Sequence, residues 1–141
     1  MPRDPEDRLP LELLERAIKS GNEYAWRRAD VARVIDAARA EGLACLGGQV
    51  QFLFPDGTCE LYWRNYGSTD RRPSEAWVDY VDRSASECLS MSQQVPCSED
   101  LEKDALASFA FLREKARLGA DLRAAEVFVL GFHDDGGVVE R

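Results

Sequence analysis

The sequence predicts an α+β fold, one domain over residues 1–141 with a small, mainly antiparallel sheet packed by about four helices. Three observations lead there. "FPDGT" sits between two aromatic-rich runs and reads as the turn of a hairpin at about 49–66. Four stretches repeat apolar residues at helical spacing. A late run, Val127 to Phe132, is apolar on both faces, which marks an interior strand at about 126–133.

Residues 1–8, "MPRDPEDR", read as a flexible tail. "LPLELLERAIKSGN" reads as the first helix. Pro10 suits its first position, Gly21 suits the residue past its end, and Leu11, Leu14 and Ile18 share a face. "NEYAWRR" reads either as a separate turn or as the start of the next helix. In "RADVARVIDAARAEG", Asp30 suits the cap, Val31, Val34, Ile35 and Ala38 form the buried stripe, and Gly42 ends the helix.

Gly47 and Gly48 mark a bulge or a close backbone approach. The hairpin turn reads as a three-residue loop, Pro55 fixing φ and Gly57 taking the left-handed position. That register sets Phe54 opposite Thr58, Phe52 opposite Glu60, and Gln49 beside Trp63. Both faces then mix large apolar and polar groups. A slip of one residue would exchange the faces. A long helix begins near Pro73, with Trp77, Tyr80, Val81, Ala85, Cys88 and Met91 on one side. Pro96 breaks it, Ser98 caps the next, and Leu101, Ala105, Phe109, Leu112 and Ala116 line that helix to Gly119. After the last strand, "HDDGG" turns the chain and "VVE" returns as a short edge strand.

A net charge of −8 excludes duplex nucleic acid as a natural partner, because phosphate binding needs a basic footprint. No apolar stretch approaches a membrane span and no targeting signal appears, so the expected location is cytoplasmic. The four cysteines form no C-x-x-C pair and there is one histidine, so no metal or other cofactor is expected and the thiols read as buried and inert. His133 with Asp134 and Asp135 has metal-ligand types but too few ligands. Walker, G-x-G-x-x-G, G-x-S-x-G and H-E-x-x-H motifs are absent. An enzyme would have to use Glu60 as acid or base, or Cys59 with His133 if the fold joins them.

The charge is uneven. Residues 73–141 carry seven basic and fourteen acidic groups, a net of −7. Two clusters dominate: a ridge of Glu75, Asp79 and Asp82 at helical spacing, and "SEDLEKD". Such runs are either a solvated, solubilising face or a landing site for a basic protein.

"GLACLGGQVQFLFPDGTCELYW" followed by "SEAWVDYVDRS" resembles the small acidic immunity proteins of bacterial polymorphic or contact-dependent toxin systems, over roughly residues 22–95. The resemblance assigns no role to any single residue. It implies a non-enzymatic protein that binds a cognate toxin, and many such toxins are basic nucleases. The expected partner surface comprises Glu75, Asp79, Asp82, Glu60 and Trp63. The alternatives are a small-molecule or regulatory domain with a pocket lined by Trp63, Tyr62 and Tyr66, and the enzyme above. Monomer and homodimer both remain open.

Overall fold

The computed structural model describes residues 4–135. Their α+β architecture is a five-stranded antiparallel sheet and a two-stranded antiparallel sheet with six helices. The helices are α1 (Leu11–Arg16), α2 (Val31–Ala40), α3 (Trp77–Gln93), α4 (Ser98–Ser108), α5 (Ala110–Arg117) and α6 (Leu122–Ala125). The strands are β1 (Ile18–Ser20), β2 (Glu23–Trp26), β3 (Ala44–Gly47), β4 (Gln49–Phe54), β5 (Gly57–Asn65), β6 (Glu126–Val129) and β7 (Gly131–His133). The large sheet runs β1-β2-β6-β4-β5, and the small one pairs β3 with β7. The expected "VVE" strand lies outside the described residues.

The first helix is shorter than its periodicity suggests. It stops at Arg16, and Ile18–Ser20 leaves as a strand pairing with Glu23–Trp26. Gly21, at φ 64°, closes a β turn instead of a helix end. Leu13 faces the core and Leu11 is exposed, because the fully buried Trp26 docks at the helix end and its indole N–H donates to the Leu13 carbonyl (2.8 Å). "NEYAWRR" is thus mostly strand β2. Helix α2 buries the expected stripe, Val31, Val34, Ile35 and Ala38. Asp30 sits at its cap position without capping it, since its carboxylate binds Arg16 (3.1 Å).

The hairpin closes through two residues, Pro55 and Asp56. Gly57 keeps a negative φ and opens β5, where a Cβ would come within 2.9 Å of the Phe111 ring. Shortening the loop slips the register by one: Phe52 faces Cys59, Val50 faces Leu61, and Gln51 faces Glu60. The expected pairing of Phe52 with Glu60 is corrected, and the physical reason is the face it cleans. Val50, Phe52, Cys59 and Leu61 now share one side with Trp26 and Phe128 of the neighbouring strands, all in one apolar cluster. Burying each such side chain stabilises the fold by about 1.5–3 kcal/mol. The buried side chains of α1, α2 and α4–α6 join this cluster, as do those of Ala85 and Cys88 on α3. Tyr80 and Val81 of α3 pack instead on Ala44 of β3.

Strand β6 is central, as its two apolar faces require. Its run crosses to the small sheet at Leu130, so "VFVLGFH" serves both sheets. Gly47 and Gly48 are required where the sheets meet. A Cβ on Gly48 would lie 2.1 Å from the Val129 carbonyl oxygen, and one on Gly47, at φ 83°, would lie 2.1 Å from that of Tyr66. Helix α3 starts at Trp77, not near Pro73, and Met91 emerges exposed at its far end. The expected single helix from Ser98 to Gly119 breaks at Phe109 (φ −122°, ψ 114°), whose ring stacks on Trp63 with centroids 6.0 Å apart. Ser98 is the first residue of α4 and donates to Glu126 rather than capping the helix.

Candidate functional site

The carboxylates singled out in the sequence fall into different environments. Glu75 precedes α3 and so is not on a helical ridge. The Arg83 guanidinium grips it with Nε and Nη2, both at 2.7 Å. The same guanidinium donates to Glu87 (3.1 Å), to the Thr69 hydroxyl (2.6 Å) and to the Asp70 carbonyl (3.0 Å). Glu87 also accepts from the Thr69 backbone N–H (2.9 Å). The loop 66–76 is therefore laced to α3. The hydrogen bond from Arg83 pulls Glu75 down to a pKa of about 2, and the Thr69 amide lowers Glu87.

Asp79 and Asp82 are exposed on α3. Asp82 lies 3.7 Å from Arg39, while Asp79 has no cationic partner among the described residues. In "SEDLEKD", Glu99 is 3.9 Å from Lys103 and Glu102 pairs with Arg123. Asp104 accepts from the Trp63 indole (2.8 Å) and from Arg64 (3.0 Å), which lowers its pKa. Trp63 is thereby half-buried against α4 and Phe109, and Gln49 pairs across from Asn65 rather than lying beside Trp63.

Glu60 is the contrasting case. It is exposed on the other side of β5, opposite the core. Its Oε1 accepts from Gln49 (3.2 Å) and from Gln51 (3.0 Å), and Gln51, 1% exposed, accepts in turn from Ser20 (2.7 Å). Amide donors hold the carboxylate in place without neutralising it. This side of the sheet has its own small apolar cluster, Ala25, Val127 and Val129, bordered by Ile18 and Leu53. None of the helices' buried apolar side chains belongs to it. Next to Glu60, Tyr62 is 73% exposed and meets Trp63 edge-on, centroids 5.1 Å apart.

The other arrangements do not assemble. Trp63 lines a cleft of about 100 Å³ with Met91 and Pro96, and neither Tyr62 nor Tyr66 joins it there. Tyr66 is wholly buried on Phe128, with its hydroxyl donating to the Gln49 and Val129 carbonyls. Clefts of about 240 Å³ and 330 Å³ lie elsewhere, at Arg28, Leu89 and Phe128 and at Gly67, Glu87 and Met91. Cys59 sits in the large sheet against the core. His133, in the small sheet, contacts the Trp77 and Tyr80 rings, its Nε2 3.5 Å from the Tyr80 hydroxyl. Cys45, Cys59 and Cys88 are buried free thiols. Hydrogen bonding to Cys88 and burial push the Cys45 thiol up, and burial alone raises Cys59. Neither is prone to react as a thiolate. Among the described residues no cluster of three metal-ligating side chains occurs, and no helix is long and apolar enough to cross a membrane.

Tyr62 and the margin of β5 stand out only once the sheet is assembled. The available signal was that strand itself, nine residues without lysine or proline.

The family model for Immunity protein 40 matches residues 11–111, and the chain belongs to that family. No curated protein and no solved structure matches it. Membership in an immunity family makes a toxin protein its partner and neutralisation of that toxin its function, a role generally played without catalysis.

Proposed function

We propose that this protein acts in the cytosol, where its thiols stay reduced, and neutralises a basic toxin by binding it through an acidic surface. The supporting observation is the set of exposed carboxylates left without cationic partners among the described residues, Glu60 and Asp79 foremost. Three arginines of α2, α3 and β5 are occupied: Arg83 by Glu75 and Glu87, Arg64 by Asp104, Arg39 by Asp36 at 2.8 Å. A net charge of −8 then presents a field that accelerates encounter with a cationic protein. In this reading Asp79 and Asp82 supply the helical part of the surface. Glu60, Tyr62 and the outer edge of Trp63 supply the part on the sheet, while Glu75, gripped by Arg83, is spent on holding the loop before α3 and does not meet the toxin. The chain acts as a stoichiometric blocker with no cofactor.

Calorimetric titration of the cognate toxin domain tests this. One toxin binds per chain, affinity falls as salt rises, and Asp79→Lys with Asp82→Lys weakens it further. A wild-type chain that binds with salt-independent affinity rules out the acidic surface, and one that binds nothing rules out the reading altogether.

A further inference from the structure

The two margins of the large sheet are unlike. β1 is three residues long, too short to template another strand. β5 has nine residues, and among the described residues β4 is its only strand neighbour. In an antiparallel strand the N–H and C=O groups of alternate residues point to opposite sides, so along β5 about half face away from β4. Open edges are normally blunted by lysine, proline or extreme shortness. β5 has neither residue; a register shift opposite Gln49 and Val50 leaves Tyr62, Trp63 and Arg64 without partners on β4, so the regular edge is the five residues 57–61. Its one cation, Arg64, is bound to Asp104.

Resting on the reading above, we propose that β5 is the docking edge for the cognate toxin: an extended toxin segment adds to the sheet as a sixth strand, with a lysine or arginine next to Glu60. Backbone pairing supplies the register and the side chains the selectivity. The charge on this face selects the occupant. Among the described residues, the strands carry Glu23 and Glu60 on it and no lysine or arginine. A cationic side chain entering beside Glu60 finds a carboxylate already aimed by Gln49 and Gln51. A second copy of this chain would bring a second Glu60 to the same face with no cation to offset it. Tyr62 stands at the same edge, and exposed tyrosines are among the residue types that anchor interfaces.

Residue-resolved amide exchange of the free chain and of its complex with the purified cognate toxin domain tests this. Alternate amides between Thr58 and Tyr62 exchange fast in the free chain and slow by about 100-fold or more in the complex, while β1 amides do not change. Glu60→Lys raises the Kd about 30-fold or more, and Glu15→Lys, the same charge change on α1, moves it less than about threefold. A toxin that binds wild-type chain without altering β5 exchange, or binds Glu60→Lys equally well, overturns the edge while leaving the acidic reading intact. Free chain that sediments as a dimer with β5 amides already protected also overturns it, in favour of a second copy. Failure of wild-type chain to bind the toxin removes both.

Discussion

Glu75, just before α3, and Glu87, on α3, share the Arg83 guanidinium; Glu87 also accepts from the Thr69 hydroxyl and N–H and Glu75 from the Arg72 N–H, so their charge is consumed in holding loop 66–76. Glu60, on β5, receives only amide donors, and its charge stays available to solvent. The sequence shows the same residue type in both places, next to apolar residues of regular elements. What separates them is whether a guanidinium reaches the carboxylate. A closed network contributes stability and a definite loop path. An open carboxylate contributes little to stability and can contribute recognition.

The comparison can be broken first where the two regions meet. Gly47 touches the Tyr66–Gly67 backbone of the closed side, and Gly48 touches β6 of the open sheet. Gly48→Ala or Gly47→Ala should cost more than about 4 kcal/mol, since backbone cannot yield, and should leave no folded protein by circular dichroism. Next, Arg83→Met should lower the melting temperature by several degrees and leave toxin affinity nearly unchanged, because it strands two carboxylates of the closed network only. A large loss of affinity with unchanged melting would reverse the assignment of the two regions.

The pH dependence sharpens the same point. Glu75 ionises at about 2 when folded, below its ordinary 4.5, so its contribution is complete above about pH 4.5 and is lost as pH falls towards 2. Urea denaturation should show wild type losing stability through that window more steeply than Arg83→Met. Parallel curves would show that the Arg83 contact does not hold Glu75 down. The smallest effect is expected at Asp82→Asn, whose pair with Arg39 is exposed and 3.7 Å long. Its melting temperature should stay within about one degree of wild type.

Much of the fold was legible because periodicity and burial agree. The stripe of α2, the buried side of α3 and the interior placement of β6 follow directly from residue spacing. The β1–β2 hairpin was not legible, because Ile18 continues the helical spacing of Leu11 and Leu14. What overrides it is tertiary: Trp26 caps the helix end and Ile18 pairs with Ala25. The break at Phe109 has no glycine or proline to announce it, and its cause, the stacking on Trp63, lies 46 residues upstream. At the candidate surface, the sequence identified Glu60 but set it against Phe52, because a two-residue and a three-residue turn are both compatible with "FPDGT". It also grouped Glu75 with Asp79 and Asp82, since nothing in local spacing shows that Arg83 reaches back eight residues to claim it.

The central claim is that an acidic surface of this chain captures a basic toxin, and titrating the cognate toxin domain at low and high ionic strength tests it most directly. The account predicts a one-to-one inhibited complex whose Kd rises at least about tenfold between roughly 50 and 500 mM salt. A Kd that holds constant across that range would contradict it.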